Sequence, residues 1–453
     1  MPGFIDLLRN GGWLTRERAR LIGLAVLAAS VAGLVYLAVG SDGLNDRAGR
    51  PLGTDFSNVY AAGTYVLEGD AAAAFDPIRQ HAREQAIFGP DTPFYGWHYP
   101  PYFLGLAALL AAMPYWLALL VWQSVTLALY VIAIRAILLI PPPLAGEGGQ
   151  QSWPGGGASN AHKPTPPDSA LRAEPPSPFR GGIKKDWLLL ALAFPAVFIN
   201  LGHGHNGFLT AALAGGALLL LDRRPVIAGI LIGCLAYKPQ FGLLIPLVLI
   251  AGGRWRAFFA AAATLAVLTV AVTLAFGVDI WRAFLASTVF TREVVLEQGG
   301  TGWFKIQSVF AWMRMWGGPL PLAYAAQGAV TLAIGASLVW LWRSRAAFAL
   351  KAAALLTGIV LATPYSLDYD LMLLAPAIAF IAADGMRRGF APYQISTLAA
   401  LWMAPLIARS LAELTYVPLA VPLMLVIYMQ LLQRAINDTG TQYLWPFAAR
   451  PLK

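Results

Sequence analysis

The residues best suited to chemistry begin in a polar stretch, residues 41–99, that interrupts an otherwise apolar chain. Asp55 stands there directly before a helical pattern that runs from Phe56 to Leu67. Its carboxylate could cap that helix by accepting backbone N–H bonds. It could also act as a general base that removes a proton from a hydroxyl group. The two roles are compatible, and we predict that Asp55 is the base.

A lysine, Lys238, occupies a turn between two short apolar segments, 225–237 and 240–251. At about 1.5 Å per residue each segment is about 20 Å long, so the turn is expected below the outer surface of a bilayer. A buried ammonium group needs a partner or an anion, and a lipid phosphate is the candidate anion. The alternative is that Lys238 extends to the interface. Gln240 belongs to the same turn and is a candidate for the same site.

The turn at residues 202–207 contains His203 and His205, followed by Asn206. Two histidines at this spacing could ligate a metal, but no HExxH pattern and no third ligand occurs near them in the sequence. We therefore predict no metal ion and no cofactor. We expect the polar residues of this turn, His203, His205 and Asn206, to line the cavity that holds Asp55.

A third turn, residues 363–370, brings Tyr365, Asp368 and Asp370 to the start of an apolar segment. One explanation is structural, with Asp368 as the N-cap of a helix and Asp370 in its first turn, where the helix dipole favours negative charge. The other is functional, because acidic residues within apolar sequence commonly mark a site. Both explanations stay open, and all three residues are candidate substrate contacts.

A second polar loop, residues 278–318, completes the candidate set together with His98. Arg292 and Lys305 could hold a phosphate, and Trp303 could stack on a sugar. Surface charge beside an interfacial helix explains these three residues equally well. His98 could donate a hydrogen bond to a phosphate or to a hydroxyl group.

The composition points to a polytopic membrane protein. Of the 453 residues, 58% are hydrophobic and 12% are charged, whereas soluble domains carry about 25% charged residues. The net charge of +9 does not indicate a nucleic-acid partner, because the basic residues cluster at the ends of apolar segments rather than along one stripe. The single cysteine, Cys234, excludes an internal disulfide and a thiolate metal site.

Twelve apolar segments predict an all-α fold with about twelve transmembrane helices. They cover residues 21–40, 116–140, 187–202, 206–221, 225–237, 240–251, 256–277, 319–342, 346–363, 367–383, 391–408 and 416–433. The first segment is long enough to span a bilayer and no small-residue cleavage site is evident after it. It is therefore expected to be a retained signal anchor.

The distribution of charge predicts the orientation. With Arg16, Arg18 and Arg20 in the cytoplasm, alternation of the twelve segments places the later basic clusters on the same side, as the positive-inside rule expects. These clusters are Lys184-Lys185, Arg223-Arg224, Arg254 and Arg256, Arg343 and Arg345, Arg387-Arg388, and Arg434. Residues 41–99 then lie outside, with eight acidic residues against four arginines. We predict a multi-pass protein of the cytoplasmic membrane, with both termini inside and the site facing the periplasm or exterior.

The chain is expected to form one membrane domain, residues 1–453, with external loops at 41–99 and 278–318. The first loop carries Asp55 and interfacial helices, and the short apolar stretch 99–113 is expected to lie in the outer interface. Residues 141–182 contain ten prolines and eight glycines without a periodic apolar pattern. Such a segment cannot bury enough apolar surface to fold, so we predict a disordered cytoplasmic insertion.

In their order along the chain, these motifs resemble glycosyltransferase family 87 of the GT-C superfamily, whose members use polyprenyl-phosphate sugars and include mannosyltransferases. The resemblance covers nearly the whole chain except residues 141–182. Relatives commonly have Gly-Gln where this chain has Gly204-His205. The motifs that carry the resemblance are Thr54-Asp55-Phe56 with Tyr60, Gly69-Asp70, Phe75-Asp76, Tyr99-Pro100-Pro101, Trp122, Gly204-His205-Asn206-Gly207, Lys238-Pro239-Gln240, and Thr363-Pro364-Tyr365 with Tyr369-Asp370.

The resemblance implies a GT-C-like fold and an inverting sugar transfer in which the acid of the first external loop, here Asp55, is the general base. It implies a polyprenyl-phosphate-linked sugar as donor and a glycolipid or glycan as acceptor, with mannose or a similar sugar as the transferred group. It also adds Tyr60 to the candidate substrate contacts. Membrane lipid is the remaining expected partner.

Two other classes of function stay open from the sequence. A secondary transporter or flippase for a lipid-linked or small polar substrate would also have many spans and short, proline-broken helices. Against it, the two halves of the chain show no matched pair of interrupted segments, and the polar motifs lie at external turns. A non-catalytic lipid-binding or assembly protein is the third class. The transferase is the favoured prediction.

Overall fold

The computed structural model describes residues 3–139 and 179–440, and within them the backbone is helical, with no strand beyond isolated bridges. The predicted all-α class is therefore confirmed. Short 3-10 helices cover Ala71–Phe75, Pro101–Phe103, Leu235–Tyr237, Trp303–Lys305 and Asp368–Leu373, and a π-helix covers Thr291–Glu297. The α-helices are α1 (Phe4–Asn10), α2 (Arg16–Val39), α3 (Thr54–Leu67), α4 (Pro77–Phe88), α5 (Leu104–Ala111), α6 (Tyr115–Leu139), α7 (Phe179–Leu192), α8 (Pro195–His203), α9 (Gly207–Leu220), α10 (Pro225–Cys234), α11 (Pro239–Gly242), α12 (Ile245–Ala251), α13 (Trp255–Phe276), α14 (Asp279–Phe290), α15 (Val309–Met315), α16 (Leu320–Arg343), α17 (Phe348–Ala362), α18 (Leu374–Arg388), α19 (Gln394–Thr415) and α20 (Ala420–Thr439).

Seven helices among the described residues are long and apolar enough to cross a membrane, so the chain is a multi-pass membrane protein. An eighth span is obtained if Asp186–Leu192 and Pro195–His203, which are bent by 46°, form one crossing. The bend falls at Pro195, which lacks the N–H that would continue the helical hydrogen bonds. The seven are Arg16–Val39, Tyr115–Leu139, Trp255–Phe276, Leu320–Arg343, Asp368–Arg388, Gln394–Thr415 and Ala420–Thr439.

Four of the twelve predicted segments form helices that are shorter than a span. They are Gly207–Leu220, Pro225–Tyr237, Pro239–Ala251 and Phe348–Ala362, each with 10–17 residues. At about 1.5 Å per residue such helices do not cover a hydrocarbon core of about 30 Å. By length and composition the described residues thus show seven or eight candidate spans, and the predicted count of twelve is not shown.

Two segments that the sequence set apart from the spans have different outcomes. The stretch 99–113 contains a short apolar helix, Pro101–Ala111, and is not among the candidate spans. The predicted insertion, 141–182, lies mostly outside the described residues. Its last four residues, 179–182, belong to α7.

Helix α3 of the first loop is packed tightly against α5. Gly63 makes this contact possible, because a Cβ atom there would lie 2.1 Å from the carbonyl oxygen of Ala107. Phe56, Phe103 and Trp122 belong to one buried apolar cluster that joins this loop to the start of α6. The packing fixes the position of α3, and with it the position of Asp55 near its start.

The second polar loop, residues 278–318, is folded against the 363–370 turn. The backbone N–H of Gln307 donates to the carbonyl oxygen of Ser366 at 2.7 Å, and Ile306 and Leu367 form an isolated bridge. These contacts place the short helix Trp303–Lys305 beside the acidic turn.

Ion pairs hold together the helix ends that lie far from these loops. In the span Asp368–Arg388, for example, the last residue is twenty positions beyond the first, which corresponds to about 30 Å of helix. The pairs at these far ends are Arg16–Asp186 at 2.8 Å, Arg254–Asp222 at 2.7 Å, Arg388–Asp384 at 2.7 Å, Arg388–Asp438 at 2.6 Å and Arg434–Asp384 at 2.9 Å. Four of the basic residues that the sequence assigned to one side, Arg16, Arg254, Arg388 and Arg434, thus have acidic partners at these helix ends.

Candidate active site

Asp55 lies in the first turn of α3. Gly53, the residue before this helix, has a left-handed φ of +70°, which glycine adopts without strain. No side chain caps the helix. The Oδ2 atom of Asp55 is buried and has no hydrogen-bond partner among the described residues. The carboxylate is therefore not used as a cap and is free to meet a ligand.

Burial raises the pKa of Asp55 to about 7, while the charge of Lys238 opposes this rise and that of Asp370 adds to it. An aspartate in water titrates near pH 4. A base whose pKa lies close to neutral pH is substantially ionised and still holds the proton it accepts. The surroundings of Asp55 thus suit proton transfer from a hydroxyl group.

Lys238 lies at the turn between the two short helices and is only 3% exposed. Its ammonium Nζ is 2.6 Å from Oδ1 of Asp370 and 3.5 Å from Nε2 of His205. A close pair of this kind offsets part of the cost of burying both charges. The alternative in which Lys238 extends to the interface is wrong, because the ammonium is held inside by Asp370.

The structure confirms one part of the structural explanation for the acidic turn and contradicts the other. Asp370 lies in the first turn of the helix Asp368–Leu373, as expected, and its Oδ2 accepts from the backbone N–H of Leu367 at 3.1 Å. Asp368 accepts from the N–H of the next residue, Tyr369, at 2.9 Å. The alternative in which Asp368 is the N-cap is wrong, because Leu367 occupies the cap position.

The two histidines of the 202–207 turn face different neighbours. The His205 ring stacks on that of Tyr369 with 3.6 Å between centroids, and its Nε2 is 3.5 Å from the hydroxyl of Tyr99. Its Nδ1 is buried without a hydrogen-bond partner in the described part of the chain. Nδ1 of His203 is instead 2.6 Å from Oγ1 of Thr54, which fixes the start of α3.

Asn200, which the sequence analysis missed, joins the histidine turn to the acidic turn. It is fully buried. Its Oδ1 accepts from the N–H of Gly207 at 3.0 Å, and its Nδ2 donates to the carbonyl oxygen of Tyr369 at 3.0 Å. The available signal was an amide side chain inside an apolar segment, because such residues need a specific partner.

These elements surround one cavity of about 390 Å³. Ten of the residues predicted to line the site do so: Asp55, His98, His203, His205, Lys238, Gln240, Lys305, Tyr365, Asp368 and Asp370. The structure thus brings together residues from the first loop, three turns and the second loop. Asp55 and Lys238 face the same space.

Two predicted residues of the first loop and the histidine turn do not line the cavity. The hydroxyl of Tyr60 donates to the carbonyl oxygen of Met113 at 2.9 Å, so its polar end is used in packing. Asn206 is buried beside the cavity, with both polar atoms of its side chain unpaired among the described residues.

Two predicted residues of the second loop also lie elsewhere. Arg292 pairs with Glu293 at 3.1 Å and with Glu297 at 3.6 Å, and its side chain is 57% exposed. Trp303 donates from Nε1 to the carbonyl oxygen of Leu296 at 2.8 Å. Surface charge and packing account for these two side chains, as the alternative explanation for this loop proposed.

Several lining residues were not predicted. Arg409 is the most informative, because an arginine at the outer end of an apolar segment departs from the positive-inside pattern and was a usable signal. Arg50 carried no comparable signal among the other arginines of its loop. The further lining residues not predicted are Thr54, Asn58, Pro93, Phe94, Tyr95, Tyr99, Tyr237, Gly300, Thr301, Leu367 and Tyr369.

The cavity combines a base with several cations. Such an arrangement can remove a proton from a nucleophile and stabilise a departing anion. Within the described residues, no group of three or more His, Cys, Asp or Glu side chains is placed to hold a metal ion. The charged lining residues are Arg50, Asp55, Lys238, Lys305, Asp368, Asp370 and Arg409.

Comparison with protein families decides the class of this site. The family described as Glycosyltransferase family 87 matches residues 97–364, which is more than half of the chain. The chain belongs to glycosyltransferase family 87. Family 87 membership confirms the resemblance seen in the motifs and makes the protein a transferase of class EC 2.4, with a sugar donor and an acceptor. It also favours the enzyme over the transporter alternative.

The family 87 match includes some cavity residues and not others. His98, His205 and Lys238 lie within it, whereas Asp55 precedes it and Asp370 follows it. The geometry of the cavity therefore supplies the argument for these two acids. No curated protein and no solved structure matches the chain significantly.

Proposed function

We propose that the protein is an inverting glycosyltransferase that moves mannose or a similar sugar from a polyprenyl-phosphate donor to a lipid or glycan acceptor. The observation that carries the proposal is the unpaired carboxylate of Asp55 in one cavity with four cations. A transfer from a lipid phosphate needs a base for the acceptor and positive charge for the leaving group. This cavity contains both.

In the proposed reaction, Asp55 takes the proton of the acceptor hydroxyl as the hydroxyl oxygen attacks the anomeric carbon of the sugar. The bond between that carbon and the phosphate oxygen breaks, and its electron pair leaves with the polyprenyl phosphate. Because attack and departure occur on opposite faces of the ring, the anomeric configuration inverts. The cationic side chains stabilise the charge that develops on the leaving phosphate.

We place the reaction at the outer face of the cytoplasmic membrane, in a GT-C-like fold of about twelve crossings. The four short helices and the bent pair would complete the twelve. Short spans are tolerated where neighbouring protein covers the irregular backbone between them, and the turn at Lys238 is covered in this way. The cavity lies at the helix ends opposite the ion-paired ends, which agrees with the orientation predicted from charge.

The test is sugar transfer by the purified full-length protein, with a polyprenyl-phosphate sugar as donor and a membrane lipid extract as acceptor. Asp55→Asn is expected to slow transfer by about a hundredfold or more, because it removes the base. Asp279→Asn is the matched control, since Asp279 is an exposed acid of the second loop that pairs with Arg282. Transfer that is undiminished in Asp55→Asn would remove Asp55 from this role.

A second readout is the anomeric configuration of the product, determined by NMR and compared with that of the donor. The proposed mechanism gives inversion. Retention would require a covalent intermediate or a second displacement, and it would overturn the single-displacement mechanism even if Asp55 proved essential.

A further inference from the structure

The four cations of the cavity differ in how their charge is compensated. Arg50 is 3.2 Å from a carboxylate oxygen of Asp46, and Lys238 is 2.6 Å from Asp370. Lys305 forms no ion pair within 4.0 Å among the described residues, and the closest carboxylate oxygen to Arg409 belongs to Asp368 at 3.8 Å. Lys305 and Arg409 are therefore the two cations left for an anionic ligand.

Lys305 and Arg409 are close to each other. Both approach the ring of Phe304, with Nζ of Lys305 at 5.8 Å and Cζ of Arg409 at 5.7 Å from its centroid. Burial lowers the pKa of Lys305, and the charge of Arg409 lowers it further. The charges of Asp368, Asp55 and Glu413 act in the opposite direction. Two like charges beside one apolar ring repel each other, and an anion that contacts both would relieve the repulsion.

Lys238 is poorly placed to bind a second anion. Its side chain is 4% exposed, and its charge is matched by an aspartate that is itself 2% exposed. Drawing the ammonium towards a phosphate would leave the carboxylate of Asp370 buried without its partner, which is costly. Lys238 instead acts as a positioning residue for Asp370 and, at 3.5 Å, for His205.

The location of Arg409 suits a ligand with a lipid tail. It lies near the end of α19, and its side chain is 41% exposed. One turn earlier on the same helix, Leu406 is 48% exposed and Ile407 is 47% exposed. An anionic group at Arg409 could therefore lie at the cavity while an apolar chain extends along the outer face of α19.

We infer that Lys305 and Arg409, which both lie beside the ring of Phe304, form the binding site for the phosphate of a prenyl phosphate, and that Lys238 does not. The identity of the ligand as a lipid phosphate rests on the proposed function. The placement of the anion at Lys305 and Arg409 rests on the charges and distances given above.

The experiment measures binding of farnesyl phosphate to the full-length protein in nanodiscs by calorimetry. Arg409→Gln and Lys305→Gln are each expected to weaken binding about tenfold or more, because each removes a charge-assisted contact. Arg292→Gln is the matched control from the same loop. The double variant Lys238→Gln/Asp370→Asn removes the buried pair together and is expected to bind within about twofold of wild type.

Each result of these measurements either supports the assignment or overturns it. Unchanged binding in Arg409→Gln and Lys305→Gln, or a tenfold loss in a folded, monodisperse double variant, overturns the assignment. Inorganic phosphate tests the source of the anion: affinity equal to that of farnesyl phosphate would overturn the lipid part of the inference. Because this experiment measures binding and not transfer, a wild-type protein that binds farnesyl phosphate through Lys305 and Arg409 but transfers no sugar refutes the proposed function and leaves this site in place.

Discussion

At the scale of single residues, the carboxylate of Asp55 is unusual because one of its oxygens is buried without a hydrogen-bond partner. Buried polar atoms in folded proteins nearly always have a hydrogen-bond partner, yet Oδ2 of Asp55 has none in the described residues. A group kept in this state is more costly to the fold than a neutral residue would be. A functional reason for the residue is the natural explanation.

The raised pKa of Asp55 predicts how transfer depends on pH. The base must be ionised, and burial raises its pKa to about 7. The rate at saturating substrate is therefore expected to rise about tenfold per pH unit below pH 7 and to level off above it. A rate profile between pH 5 and pH 9 measures this. A rate that is flat down to pH 5 would contradict the role of Asp55 as a base with this pKa.

The raised pKa of Asp55 also predicts the direction in which Asp55→Asn changes the stability of the fold. The folded pKa of about 7 lies above the ordinary aspartate pKa of about 4, so ionisation of Asp55 favours the unfolded state as pH rises between these values. Asp55→Asn should therefore unfold at a higher temperature than wild type at pH 8, with the difference vanishing near pH 4. Loss of transfer together with a gain of stability separates a catalytic role from a structural one.

At the scale of elements, Glu84 of α4 holds the segment that forms one wall of the cavity. Its carboxylate is fully buried and accepts from the backbone N–H groups of Tyr95 at 3.1 Å and Gly96 at 3.0 Å. Tyr95 lines the cavity, and so does His98, which is two residues beyond Gly96. Glu84 is thus a positioning residue for this wall.

Glu84→Ala is expected to destabilise the protein by about 1–3 kcal/mol, because it leaves two buried N–H groups without an acceptor. It should also raise the KM for substrate more than it lowers kcat, since the wall is displaced while Asp55 is unchanged. Thermal unfolding and steady-state kinetics measure the two effects. Glu68→Ala, at an exposed ion pair with Arg83, is the matched control, and equal effects in both variants would contradict the prediction.

The sequence predicted where the elements of the site begin and end better than it predicted which side chains pair. Turns between apolar segments placed Lys238 and Asp370 at helix ends, and both line the cavity. Their ion pair joins residues that are 132 positions apart, and no local pattern predicts such a contact. Arg292 and Lys305 looked alike as loop cations, but neighbouring glutamates pair with Arg292 while the contact of Gln307 with Ser366 places Lys305 at the cavity.

At the scale of the whole molecule, the charged groups separate into two ends. Cavity residues from the first loop, the three turns, the second loop and the end of α19 meet at one end. Ion pairs such as Arg16–Asp186 and Arg388–Asp384 lie at the other. Because the basic clusters belong to the second end, we propose from the positive-inside rule that this end lies in the cytoplasm and that the cavity faces the exterior.

Cysteine labelling in intact cells tests this orientation. In a Cys234→Ser background, Ala72→Cys in the first loop is expected to react with a membrane-impermeant maleimide, because Ala72 is exposed on the cavity side. Gly12→Cys, exposed near the start of α2, should react only after the membrane is permeabilised. The reverse pattern would place the cavity in the cytoplasm. A donor presented on the outer leaflet could then not reach Asp55, and the site would have to use a sugar donor available inside the cell.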